Sequence, residues 1–459
     1  MNLSNQELLA LQNRIEKVGT DAFIAEEFRL RGVRVRKRQK IKDFTDEKAK
    51  ESYIEDRKKE DEVRAELRSL MWAAYKTKNI AHLGEGIFWD DGIGLDFFDP
   101  YERYYLDKGR PKGRLIDNDL PVLESLEELI DALSAAVPEL DAPMLRWFCY
   151  HRSVAETIHY RAFSIPKKSG GRRHIWAPMP KLKAMQSWIL DNITARMPIH
   201  EAAHGFAHGR SILSNASVHT NSQVVLSMDL KNFFPTLTFP RVKGLFRAIG
   251  YREGIATLLS LICTEAPRRP ICIQDPQTGE DKWVYVAVGP RCLPQGSPAS
   301  PSLTNLACVR LDRRLTGFCQ KYGLRYTRYA DDLTFSVPVG AIKKHDMKWV
   351  EGVVRSIVES EGFAVHPDKV VIMGEGNSQR VTGLVVNGPD APRVPREFKQ
   401  WLRAAIHNQQ NDQPFHEGEN WHTLMGYASF VFSAEQDRGR RYLDALLSLK
   451  TDLGITDEE

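Results

Sequence analysis

The sequence predicts an α+β protein with a mainly helical N-terminal extension. Three observations carry this reading. Residues 1 to about 145 are charged, and their apolar positions recur at helical spacing. From about Tyr160 to Asn387 the chain instead carries short apolar runs bounded by turn residues, such as "VVLSMDL" and "RYADDLTFS", which read as strands. It then returns to helical patterns in "PREFKQWLRAAIHNQQ" and "RGRRYLDALLSL". At 459 residues the chain exceeds one ordinary core and predicts two or three modules.

In the extension, "FRLRGVRVRKRQKIK" holds eight basic residues between Arg29 and Lys42 and no acid. Clustered charge alone is enough to attract phosphates, so this run is a candidate nucleic-acid contact; the alternative is a solvated arm. Thr45 to Ala74 mixes both signs and predicts an exposed helix. The aromatic, Gly-rich stretch from His82 to Tyr105 suggests no chemistry. "SLEELIDALSAAV" predicts an amphipathic helix.

Composition narrows the class. Hydrophobic content of 42% and charged content of 27% fit a globular protein. The net charge of +4 permits an anionic partner without requiring one. The six cysteines form no CxxC pair, which argues against a zinc site and a disulfide framework and for a reducing cytoplasm. The N-terminus lacks a signal-peptide pattern, and no apolar run reaches membrane-spanning length. The expectation is a cytoplasmic protein with no membrane partner.

The chemistry begins at Asp331 and Asp332, adjacent acids in a strand-like run. Neighbouring strand residues point to opposite faces, and burying an unpaired carboxylate is costly. A polar hairpin turn is one explanation, since Asp-Asp is good turn chemistry. A metal site is the other. About a hundred residues earlier, Asp229 follows the buried-strand pattern Val224-Val225-Leu226. If the two strands pair, Asp229 and Asp331 come together. Three clustered carboxylates repel unless cations neutralise them, and oxygen-only ligands suit Mg²⁺. Two such ions about 4 Å apart stabilise the attacking and leaving oxygens in phosphoryl transfer.

The ordered motifs then become specific. Asp229 followed by Phe233-Phe234, "LPQGSPASP" (Leu293 to Pro301) and "YADD" resemble the successive motifs of a right-hand reverse transcriptase. Upstream, "IPKKSGGRRHIWAPMPKLKAMQ" is similar to the fingers motif of the bacterial enzymes. "HPDKVVIM" and "VTGLVVN" resemble the later palm motif and the primer-grip hairpin. Asn215, Ala216 and His219 match the NAxxH pattern, and Val381-Thr382-Gly383 the VTG triplet, of retron reverse transcriptases. The resemblance covers roughly residues 145 to 445, and the long N-terminal part resembles the extended myxobacterial-type enzymes. It implies an N-terminal helical extension over 1–145, fingers with the NAxxH region over 146–228, a palm with inserted fingers elements over 229–390 and a helical thumb over 391–459.

The resemblance also implies roles. Asp229, Asp331 and Asp332 would hold two Mg²⁺ ions. Arg173 would clamp nucleotide phosphates, with Lys168 adding charge; a surface hairpin with basic decoration is the alternative. Phe234, five positions after Asp229, would exclude a 2′-hydroxyl, unless it is simply core. Gln295 and Gly296 would approach nucleotide and template. Lys369 would protonate the leaving pyrophosphate, against the alternative of a surface lysine. Asn215 and His219 would shape an RNA-binding surface rather than catalyse, alongside Val381, Thr382 and Gly383. Arg393, Arg396, Lys399 and Arg403 would lie near the duplex. The family implies deoxynucleotide substrates and a cognate noncoding RNA that serves as template and primer. Priming from its 2′-hydroxyl leaves a branched RNA–DNA hybrid, in phage defence with a separate effector. Two other readings stand beside this one. A group II intron enzyme would continue past the thumb into a maturase or zinc-bearing segment. An idle RNA-binding scaffold would have lost a carboxylate, whereas all three are present.

Overall fold

A computed structural model describes residues 3–35, 44, 46–84, 87–90, 111–150, 152–166, 170–274, 279–340, 346–411, 413, 415 and 419–452. Lys168, the basic positions from Arg36 to Lys42 and most of the stretch from His82 to Tyr105 lie outside the described residues. Among the described residues, no helix is long and apolar enough to cross a membrane.

The chain divides into two compact units: residues 1–108, 125–130 and 139–155, and the remainder. The first is built on helices Asn5–Val18, Thr20–Leu30 and Glu47–Asn79. Ser4 and Glu7 form a reciprocal capping box at the first helix, which satisfies two otherwise orphaned donors. Ile15, Phe23, Phe28, Val33 and Leu67 form this unit's own core. The helix predicted over Thr45–Ala74 is present and extends to Asn79, followed by a short hairpin of β1 (Ile80–Gly84) and β2 (Ile87–Asp90).

The second unit holds every chemical motif. β3 (Tyr160–Pro166) and β4 (Arg172–Pro178) form an antiparallel hairpin with Ile165 opposite Arg173. β5 (Ser222–Leu230) carries Asp229, so the strand begins seven residues before the expected palm boundary at 229. β6 (Arg268–Gln274) and β7 (Asp281–Ala287) form a second hairpin. β8 (Arg325–Tyr329), β9 (Asp332–Pro338) and β10 (Val365–Gly374) join β5 in a four-stranded antiparallel sheet of order β10-β5-β9-β8. Helix Ser300–Tyr322 packs against β8, and helix Met347–Ser360 against β10. The two central strands are buried on both faces: Leu226, Met228, Leu333, Phe335 and Val337 form an apolar face, and Val225 lies on the other with the buried polar Thr334 and Ser336. This leaves the strand ends as the place where acids can meet solvent.

β11 (Arg380–Val381) and β12 (Leu384–Val385) enclose the turn Thr382-Gly383. Both turn residues have positive φ, 45° and 85°. This is the demand of a two-residue primed turn, and it explains the glycine. The C-terminal helices Arg396–Gln410, Trp421–Ala434 and Gln436–Asp452 pack through Leu402, Ile406, Leu424, Val431 and Leu446. Trp421 Nε1 donates to the Leu446 carbonyl across this core at 2.8 Å.

Candidate active site

The sheet register brings the acids together. Asp332 is the direct cross-strand partner of Asp229, and Asp331 occupies the two-residue turn between β8 and β9. Leu230 N–H donates to the Asp331 carbonyl at 2.9 Å, which ties the turn to the end of β5. Expectation and structure differ in detail here: pairing sets Asp332, not Asp331, opposite Asp229. All three carboxylates nonetheless sense one another. Partial burial and the neighbouring charges push Asp332 up to about 6. Burial, with the Asp229 charge, also raises Asp331, opposed by Lys369 and Arg173.

Lys369 reaches the cluster through a bulge. Val365 pairs with Leu230 and Val370 with Met228, so residues 366–369 face Asp229 alone. Such a bulge re-aims a side chain: Lys369 Nζ donates to Asp229 Oδ2 at 2.8 Å. That hydrogen bond raises its pKa and keeps it cationic. Arg173 projects from β4, close enough to stabilise the Asp331 carboxylate. Its neighbour Arg172 is occupied otherwise, donating to the Ser164 hydroxyl and carbonyl.

A buried network fixes the turn. Arg328 donates to both carboxylate oxygens of Asp312, at 2.9 and 2.7 Å, to Asn305 Oδ1 at 2.9 Å and to the Ala330 carbonyl at 3.1 Å. Tyr326 OH adds a bond to Asp312 at 2.8 Å. Arg328 and Asp312 are wholly inaccessible to solvent. Bidentate geometry and full satisfaction are what a buried ion pair requires to be tolerable. Sequence reasoning missed this network, because a surface arginine and a buried one are written with the same letter.

Phe234 lies in the short helix Phe233–Thr236, which starts after Asn232 at φ 49°. It is half-buried, against Phe233 at 5.7 Å and Phe206 at 6.3 Å between ring centroids. Gln295 and Gly296 are joined to the β3–β4 hairpin: Trp176 N–H donates to the Gln295 carbonyl at 2.7 Å. Gly296 sits at φ 125°, where a Cβ would lie 2.7 Å from the Trp176 carbonyl oxygen, so this close approach requires glycine.

The NAxxH and VTG segments meet each other. Asn215 Nδ2 approaches Thr382 Oγ1 at 3.5 Å, and Thr382 Oγ1 donates to the Ile212 carbonyl at 3.1 Å. His219 bridges Ser336 Oγ at 2.8 Å and Thr327 Oγ1 at 2.7 Å, linking β9 to β8. Burial lowers its pKa to about 3, so the ring is neutral. Asn215, His219 and Val381 are buried, while Gly383 is exposed and Thr382 partly so. Lys399, expected near a duplex, forms an ion pair with Glu435 inside the helical C-terminal region.

Residues 165–399 match the family model described as reverse transcriptase (RNA-dependent DNA polymerase). The chain is 41% identical over 462 residues to the retron Mx162 reverse transcriptase of Myxococcus xanthus, covering 98% of this chain and 90% of that protein. The chain belongs to the retron reverse transcriptases. Two further relatives agree. The retron Mx65 reverse transcriptase of the same organism is 40% identical over 64% of this chain and 65% of that protein. The retron Ec86 reverse transcriptase of Escherichia coli is 32% identical over 74% of this chain and 94% of that protein. This retron enzyme is therefore an RNA-directed DNA polymerase of right-hand architecture.

Reverse transcriptases work with divalent metal ions, and the donor set fits them. The donors are all carboxylate oxygens, two of them raised in pKa first by burial and then by the neighbouring carboxylate charges. Lys369 already supplies a cation to the third. Among the described residues there is no tightly gathered cage of three or more acidic, His or Cys ligands. Magnesium seldom uses such cages; it binds through one or two carboxylates and completes its shell with water and substrate phosphates.

Proposed function

We propose that this reverse transcriptase copies part of a cognate structured noncoding RNA into single-stranded DNA. Synthesis starts from a 2′-hydroxyl within that RNA and leaves a branched RNA–DNA hybrid (msDNA). One observation carries the reading: a three-carboxylate cluster flanked by Lys369 and Arg173, in a chain matching a retron enzyme over 98% of its length. The RNA serves as template and primer, and deoxynucleoside triphosphates are the substrates.

Asp229, Asp331 and Asp332 would hold two Mg²⁺ ions, which would supply positive charge to the primer hydroxyl and the triphosphate. Arg173 clamps phosphate oxygens with its fixed fork of donors, and Lys168 adds a point charge. Lys369, held protonated, stands ready to give its proton to the leaving pyrophosphate. Phe234 fills the space a 2′-hydroxyl would need. Gln295 and Gly296 bring backbone close to nucleotide and template. Asn215, His219 and Val381 support the RNA-binding surface from the interior, with Thr382 and Gly383 at its exposed edge. The enzyme acts in the cytoplasm in antiphage defence, and its hybrid product restrains a separate effector.

Sequencing the nucleic acid that co-purifies with the protein tests this. One structured RNA, joined to DNA at a 2′ branch, is expected for the wild type. Asp331→Asn is expected to retain the RNA and lack the DNA. Unrelated cellular RNA, or normal extension by Asp331→Asn, overturns the proposal.

A further inference from the structure

Phe206 is an outlier by two independent measures. Its φ is 57°, in the left-handed region where a bulky aromatic is rarely found. It is also 51% exposed, so packing does not compensate the strain. Strain of this kind persists only where surrounding structure imposes it. Here the surroundings are the catalytic turn. Asn305 Nδ2 donates to the Gly205 carbonyl at 2.9 Å and to the Phe206 carbonyl at 3.3 Å. Gly205 lies so close to the turn that a Cβ would stand 2.4 Å from the Ala330 nitrogen. His204 N–H donates to the Arg328 carbonyl, and Arg328 N–H to the Ala202 carbonyl. The segment from Ala202 to Phe206 is thus stitched to the residues that immediately precede Asp331. At its end, the Phe206 ring stands 6.3 Å from Phe234, tilted by 52°.

We propose that Phe206 is a positioning residue that holds Phe234 against the sugar of the incoming nucleotide, so that the ring pair sets the discrimination against ribose. Both Phe233 and Phe206 are ring neighbours of Phe234. Without Phe206, the Phe234 ring gains room to swing away from a 2′-hydroxyl. The proposal rests on the reading of Phe234 as the sugar gate, and the experiment separates the two.

Single-nucleotide incorporation is measured with dNTP and rNTP for wild type, Phe206→Ala, Phe234→Ala and the double variant. Phe206→Ala is expected to raise the rNTP-to-dNTP efficiency ratio by about tenfold, the scale of one apolar contact. Phe234→Ala should raise it further. The double variant should match Phe234→Ala, since nothing is left to position. Phe206→Tyr, which keeps the ring, should restore the wild-type ratio. Phe206→Asn, which adopts positive φ readily, should behave as Phe206→Ala and shows that the missing ring, not the backbone, is responsible. A ratio unmoved in Phe206→Ala but raised in Phe234→Ala overturns the positioning role and leaves the gate. A ratio unmoved in both overturns the gate and the inference with it. Multiplied effects in the double variant would show two independent contacts and also overturn it.

Discussion

At Asp332, partial burial and two neighbouring carboxylates raise the carboxyl from 3.8 to about 6. A raised folded-state value favours the protonated form. The stability it contributes is full below pH 3.8 and lost as pH rises through about 6. Metal-free enzyme should therefore be held back at pH 8 by its own active site. Asp332→Asn is expected to stabilise it there by about 3 kcal/mol, seen as a higher melting temperature with chelator present, while polymerisation is abolished. At pH 4 the two proteins should melt together. In limiting divalent metal, extension by the wild type should fall as pH drops through about 6, because protons compete for the same oxygens. The acids themselves were legible in the sequence, since three carboxylates at strand-like positions need a reason. The partner of each was not. Whether Asp331 or Asp332 faces Asp229 depends on register, and one residue of slip exchanges them. Phe206 was illegible because nothing in "AHGFAHGR" announces a strained backbone.

The β3–β4 hairpin and the loop ahead of the long helix meet through backbone. Trp176 N–H and the Gln295 carbonyl join the β3–β4 hairpin to the loop ahead of helix Ser300–Tyr322, and Gly296 permits the approach. Gly296→Ala adds a Cβ at 2.7 Å from a carbonyl oxygen and forces φ 125° on a residue that resists it. It should destabilise the enzyme by about 1–3 kcal/mol. Urea denaturation measures this loss, and a loop that contacts the nucleotide should also show a raised KM for dNTP with metal held constant. A wild-type KM would show that the loop does not contact the nucleotide. Periodicity predicted helices Arg396–Gln410 and Gln436–Asp452, and the apolar run Val224-Val225-Leu226 predicted a central strand. It could not predict the bulge at residues 366–369, which breaks the period locally and delivers Lys369. Nor could it show that NAxxH and VTG form one contact, since Asn215 and Thr382 are 167 residues apart.

At the scale of the whole molecule, the N-terminal unit has a core of its own, and this dictates how the basic arm must be tested. Ile15, Phe23, Phe28 and Val33 precede or adjoin the arm and pack with Leu67. Deleting residues 1–42 would strip the core and confuse unfolding with weakened binding. Replacing Arg34, Arg36, Lys37, Arg38, Lys40 and Lys42 by Gln spares it. If the arm grips RNA, the slope of log affinity against log salt should flatten by about one for each phosphate the arm no longer neutralises. Extension of a generic primed template should be unchanged, because the acids belong to the second unit. An identical salt slope would assign the arm to a protein partner. The charge of this run was evident in the sequence; the helical core beside it was only implied.

The buried quartet of Arg328, Asp312, Asn305 and Tyr326 also limits how this sequence can drift. Removing one member of a buried ion pair costs about 3–5 kcal/mol, whereas replacing both by well-packed apolar residues is often neutral. Single steps away from the pair therefore cross a fitness valley. In a combinatorial library, Asp312→Leu should be recovered only alongside changes at Arg328. Those survivors should fold yet extend poorly, because Arg328 also grips the carbonyl of Ala330. The epistasis would be strong in the interior and absent at exposed Arg313, one position along the same helix.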